Sequence, residues 1–132
     1  MKSAYKPEDC DRLIVDAVEK GDIETSVALY EPDAVLFTDP DQLIKGLDAI
    51  RKQNEKSIAM KTKFTIHEIK TVMSGDGTIA TTRMKITAVD VDPKSGKEVS
   101  NLINTLEVVR KQPDGTWRFV IDDPFGGSRA NM

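Results

Sequence analysis

The chain has 132 residues, 19 of them Lys or Arg and 22 Asp or Glu, for a formal charge of −3, with 39% hydrophobic and 31% charged residues. That balance fits one soluble globular domain and excludes disorder as the default reading. The basic residues are scattered, so there is no electrostatic footprint for nucleic acid, and no apolar stretch approaches the roughly 20 residues needed to span a bilayer.

Cys10 is the only cysteine, so no internal disulfide can form and nothing points to an oxidising compartment. The first residues lack the apolar core of a signal peptide, and a cytoplasmic location is expected. Pro7-Glu8-Asp9 opens a helix whose apolar stripe is Leu13, Ile14, Ala17 and Val18. Gly21 stops it, and Asp22 caps a second, short helix whose buried side is Ile23, Val27, Ala28 and Tyr30, ended by Pro32-Asp33. Ala34 to Thr38 reads as a short strand, with Leu43-Ile44 as a second across the Asp39-Pro40-Asp41 turn. Gly46-Leu47-Asp48 starts a third helix, with Ile50, Ile58 and Met60 on its apolar side.

The remainder reads as β structure. Strands are predicted over Lys63 to Met73, Thr78 to Val91, Val99 to Arg110 and Trp117 to Asp122, separated by turns at Ser74 to Gly77, Asp92 to Gly96 and Gln112 to Gly115. In the second of these, Ala80, Thr82, Met84, Ile86 and Ala88 share one face. The tail from Phe125 is expected to be loose. Helices segregated from an antiparallel meander predict an α+β domain, a single unit over 1–132 with its core at about 8–125. Apolar residues on both faces of the long strands, Leu102, Leu106 and Val108 against Ile103 and Val109, predict a homodimer packed through the sheet.

Three stretches carry a resemblance: Glu19-Lys20-Gly21-Asp22-Ile23, Leu29-Tyr30-Glu31-Pro32-Asp33-Ala34-Val35, and Lys45-Gly46-Leu47-Asp48-Ala49-Ile50. Their order and spacing, with the meander and Asp122-Asp123-Pro124 after it, resemble the NTF2-like superfamily, in particular its SnoaL-like and ketosteroid-isomerase-like branch. The resemblance runs from about Asp11 to Phe125. It implies a cystatin-like cone, a bent antiparallel sheet wrapped around the N-terminal helices with a deep apolar pocket, and dimers through the sheet. It does not fix an activity, because fold does not fix function.

The resemblance also implies positions for chemistry. The isomerases' carboxylate base, after the first short strand, falls at Asp39, or at Thr38 if the register slips by one. Their protonated acid, a carboxyl kept neutral by an apolar site, falls at Glu107 in the apolar run Leu106-Glu107-Val108-Val109. Their tyrosine falls at Ile14, so a hydroxyl is missing and steroid-type isomerisation is not supported. The competing readings are a plain turn for Asp39 and, for Glu107, solvent or a cross-strand pair with Arg83, Lys85 or Arg118.

His67, the only histidine, shares a face with Thr65 and Ile69 in the predicted strand and is read as structural unless it points inward to pair with Asp39 or Glu107. Arg83 is a candidate for an acidic group on a ligand, or for an ion pair. Trp117 and Phe119 are expected in the core around the pocket, and Asp122 at its mouth. No metal is expected from one His and no cysteine cluster, and no phosphate loop is present. The expected protein is therefore a cofactor-free pocket protein for a small apolar carbonyl-containing ligand, performing isomerase-, cyclase- or dehydratase-type proton transfer with Asp39, Glu107 and His67 as catalytic candidates. The alternatives are a non-catalytic ligand-binding or dimeric interaction module, and protein recognition by the open sheet face.

Overall fold

The computed structural model describes residues 2–129. Three helices, α1 (Pro7–Lys20), α2 (Ile23–Ala28) and α3 (Leu47–Ala59), accompany seven strands: β1 (Tyr30–Asp39), β2 (Gln42–Lys45), β3 (Lys63–Met73), β4 (Ile79–Val91), β5 (Glu98–Asn104), β6 (Leu106–Lys111) and β7 (Trp117–Asp123). The helix ends follow the sequence signals. Pro7 opens α1, Gly21 closes it at φ 72°, and Asp22 Oδ1 accepts the Thr25 N–H at 3.1 Å to cap α2. The protein is α+β, as expected.

The sheet runs β2-β1-β7-β6-β4-β3, with β5 beside β4. All its pairings are antiparallel except β1 with β7, so the sheet is mixed rather than purely antiparallel. Helix α1 lies across its inner face, touching β3, β4, β6 and β7. Ala80, Thr82, Met84, Ile86 and Ala88 all face inward and are buried.

Several expectations change. The strand predicted over Val99 to Arg110 breaks at Thr105, whose hydroxyl takes the Met84 N–H at 3.0 Å, while β5 and β6 keep one register on β4. β1 starts four residues earlier than predicted, so Tyr30 is a strand residue rather than a helix residue. It is 2% exposed, with its ring 5.0 Å from that of Phe119. Met60 lies beyond the end of α3 and is exposed, whereas Asn54 is buried on that helix and donates to Ser26 Oγ at 3.0 Å. The tail is not loose through Arg129. Gly126–Ser128 forms a 3₁₀ turn against Leu106 and Asn104, and a Cβ on either Gly126 or Gly127 would clash with those residues. Arg129 Nε then reaches Asp123 Oδ2 at 2.7 Å. The rest of the predicted tail, 130–132, lies outside the described residues.

Three β-bulges set which side chains face inward. One carries Thr38 in β1, one His67 in β3 and one Val120 in β7.

Candidate functional site

Alternation along β7 would put Trp117, Phe119 and Ile121 on the inner face. The Val120 bulge changes the last of these. Val109 pairs with Phe119, but Val108 pairs with Ile121 and Glu107 with Asp122. Ile121 therefore turns outward, 38% exposed, and Asp122 turns inward. Thr82, Glu107, Asp122 and Leu36 then stand side by side on β4, β6, β7 and β1. Direct cross-strand neighbours have Cβ atoms about 4.5–5.5 Å apart, and two carboxylates placed so repel.

A third carboxyl comes from the helix. Asp11 lies on the face of α1 that carries Ile14, Val15 and Val18, and is fully buried. The Thr82 hydroxyl is 3.2 Å from both Asp11 Oδ1 and Glu107 Oε1. It has one proton and can donate to only one of them at a time. Asp11 Oδ2 and Glu107 Oε2 are buried with no hydrogen-bond partner. On the far side, the Tyr30 hydroxyl donates to Asp122 Oδ2 at 2.5 Å.

These three carboxyls line a cavity of about 140 Å³ whose other walls include Ile14, Val15, Val18, Phe64, Ile86 and Ile103. No Lys, Arg or His lines it. With no cation in the lining, burial dominates the electrostatics, and Arg12 outside it offsets only a little of the effect on Asp11. Burial raises Asp11 to about 6, against the pull of its hydrogen bonds to Glu107 and Thr82. Burial raises Asp122 to about 7, partly offset by the Tyr30 hydroxyl. Glu107 is pushed well above the usual carboxyl range by burial and then by Asp11 and Asp122. Burial and the Asp122 charge push the Tyr30 phenol up as well.

The predicted site residues divide. Glu107, 1% exposed, and Asp122 face the cavity together. Glu107 makes no pair with Arg83, Lys85 or Arg118: the first two lie on the exposed outer face, and Arg118 stands opposite Arg110. Asp39 does not line the cavity. Its Oδ1 accepts the Asp41 N–H at 2.8 Å in the turn, and the bulge at Thr38 shifts the register by one just before it. His67 is the extra residue of the β3 bulge. It is exposed, its ring Nε2 is 2.6 Å from Thr87 Oγ1, and the bulge puts Thr65 and Ile69 on opposite faces. Asp39 and His67 therefore do not converge with Glu107. Arg83 lies opposite Lys70 and lines a shallow outer depression with Glu68 and Lys85. Trp117 is in the core, donating its backbone N–H to Ala4 O at 2.8 Å, and does not line the cavity.

Asp11, Tyr30 and Thr82 were not among the sequence candidates. Asp11 left a signal, because it stands three residues before Ile14 and seven before Val18, in line with the apolar stripe. Among the described residues no cluster of His, Cys, Asp and Glu has a metal-holding arrangement. None of the described helices is long and apolar enough to cross a membrane.

Three helices packed with a mixed sheet give the NTF2-like, cystatin-like fold. Among solved structures, the chain is similar to a candidate scytalone dehydratase from Novosphingobium aromaticivorans, with TM-score 0.77 and 20% identity over 87% of this chain and 77% of that one. It is also similar to a ketosteroid isomerase-like protein from Erwinia carotovora atroseptica, with TM-score 0.71 and 18% identity over 87% and 88%. An NTF2-like protein with a cystatin-like fold, again from Novosphingobium aromaticivorans, gives TM-score 0.72 and 18% identity over 87% and 75%. At these identities the likeness concerns the fold. No curated protein sequence matches the chain. Residues 12–123 match the SnoaL-like domain family, and the chain belongs to that family.

Proposed function

We propose that this protein binds a small apolar carbonyl-containing molecule and moves a proton on it, with Asp122 as base and Glu107 as acid. The observation that carries this reading is the lateral pair Glu107–Asp122 on the cavity wall. Two neighbouring carboxyls whose surroundings hold them at different protonation provide an acid and a base in one site. Asp122, at about 7, is poised to exchange a proton near neutral pH. Glu107 keeps its proton and can donate a hydrogen bond to the carbonyl oxygen as charge develops there. Asp122 takes the proton from carbon and returns it to another carbon, so no cofactor takes part.

The test is incorporation of solvent deuterium into 2-cyclohexenone, followed by NMR. Wild-type protein is expected to catalyse the exchange. Asp122→Asn and Glu107→Gln should each slow it on the order of 10²- to 10³-fold, and Asp39→Asn should leave it unchanged because that carboxylate serves the turn. Exchange no faster with wild type than with Asp122→Asn would remove the catalytic reading. Binding without turnover is the second reading, favoured by Ile14, which leaves the cavity without a hydroxyl from that helix position.

The outer face of the sheet supports a second proposal retained from the sequence, a two-fold homodimer. Val72, Leu102 and Ile121 are exposed there at 68%, 60% and 38%, although the Gly126–Ser128 turn covers part of Leu106. Leu102→Asp is expected to shift the protein from dimer to monomer in analytical ultracentrifugation. A wild-type monomer at high micromolar concentration would dismiss the dimer.

A further inference from the structure

Asp122 is bonded on one side only. Its Oδ2 accepts the Tyr30 hydroxyl at 2.5 Å, and no other group among the described residues donates to its carboxyl. Oδ1 is left over, and unlike Asp11 Oδ2 and Glu107 Oε2 it is not sealed from the surface. Tyr30 has no share in the cavity. Its ring is buried 5.0 Å from that of Phe119 and does not line the wall. A phenylalanine would fill the same space, so what the hydroxyl adds is the bond to Asp122, made across the parallel pairing of β1 with β7.

A carboxylate can take a proton on either oxygen. With the Tyr30 hydroxyl donating to Oδ2, that oxygen stays the acceptor and the proton settles on Oδ1. We infer that Tyr30 is a positioning residue for Asp122: its hydroxyl fixes Oδ2, so that Oδ1 takes the proton from the bound molecule and returns it. The C–H bond breaks as the Oδ1–H bond forms, its electron pair moves into the carbonyl, and the reverse step restores Oδ1. The chemical use of this arrangement rests on the proton-transfer reading. The hydroxyl also sets the working pH. The titratable groups facing Asp122 are Tyr30 from β1, Glu107 from β6, Asp11 and Cys10 from α1, and its neighbour Asp123, which Arg129 holds. Burial pushes Asp122 up, and only the Tyr30 hydroxyl pulls it down, leaving it at about 7. The phenol is itself pushed up by burial and keeps its proton to donate.

The experiment is a carbon-13 NMR titration of the Asp122 carboxyl in the full chain, run beside the pH profile of deuterium exchange into 2-cyclohexenone. The wild-type midpoint is expected at about 7. Tyr30→Phe should raise the midpoint of both curves by about one to two pH units, the range of a hydrogen bond to a charged group. Exchange at pH 7 should then fall roughly tenfold or more and recover in part towards pH 9. A merely structural role would lower exchange at every pH and leave both midpoints in place. If Tyr30→Phe does not fold, 3-fluorotyrosine incorporated into Tyr5→Phe protein, where Tyr30 is the only tyrosine left, tests the same bond with the opposite sign. The more acidic phenol is the stronger donor, so the midpoints should move down. Tyr5 is exposed and does not line the cavity, so Tyr5→Phe alone should move nothing. Midpoints that stay in place, or move against these signs, overturn the inference, and exchange that persists in wild type leaves the proton-transfer reading standing. Carboxyl midpoints that move as stated in a protein with no wild-type exchange would remove the proton-transfer reading and leave Tyr30 as the group that fixes the Asp122 proton.

Discussion

The melting temperature of the wild-type protein should fall as the pH rises from 5 to 8, the opposite of what paired carboxylates usually produce. The sign follows from proton counts. Asp11 titrates at about 6 and Asp122 at about 7 in the fold, against roughly 4 in the unfolded chain. Between those values the folded state holds more protons, so unfolding becomes easier as pH rises. The contribution is fully present below about pH 4 and is lost as the pH rises through about 6 and then 7. The exposed acids of the turns and caps, Asp22, Asp76, Asp92 and Asp114, are shifted down by hydrogen bonds, with Asp76 at about 2, and therefore act only at lower pH. Because Asp11, Glu107 and Asp122 influence one another, their separate costs do not add. An order of 3 kcal/mol, or roughly 10 °C for a domain of this size, is expected across the window. Glu107→Gln keeps the shape and removes one acid from the cluster, so it should melt several degrees above wild type at pH 8 and lose much of the slope. A wild-type melting temperature that is flat or rises from pH 5 to 8 would mean that the cluster is better solvated than its burial indicates.

Much of this fold is written locally. The caps at Pro7, Gly21 and Asp22 sit where their chemistry requires, and the alternation from Ala80 to Ala88 identifies the inner face of β4 without help. Glu107 came from the resemblance, whose acid position falls on it, and the apolar run around it is consistent with burial. The rest of the site depends on pairings that no local pattern contains. Tyr30 and Asp122 are 92 residues apart, and their hydrogen bond exists only because β1 runs parallel to β7. The irregular positions are harder still. Period-2 reading assigns a face to every strand residue, and each bulge reverses that assignment beyond it. The bulge at His67 is why Thr65 and Ile69 are not neighbours on one face, and the bulge at Thr38 shifts the register just before Asp39, the position that the resemblance gave to a base.

The bulge at Val120 matters most for function, because in a strand of this length it is what brings Asp122 opposite Glu107, and deleting that one residue should keep the pair. With Val120 removed, the regular ladder that pairs Val109 with Phe119 would continue to Ile121 opposite Val108 and Asp122 opposite Glu107, the same partners that the bulge gives. Asp122 would stay on the inner face and Ile121 on the outer. The variant should fold, since the turn from Gln112 to Thr116 that sets the hairpin is untouched, and the Tyr30 hydroxyl would keep its acceptor. The expected result is a cooperative melt within a few degrees of wild type, the same decline from pH 5 to 8, and deuterium exchange retained. A crystal structure of the variant would decide the geometry directly, and Asp122 on the outer face would overturn the register argument. Loss of exchange with Asp122 still opposite Glu107 would mean that the local twist the bulge adds, rather than the pairing alone, holds the two carboxyls in working geometry.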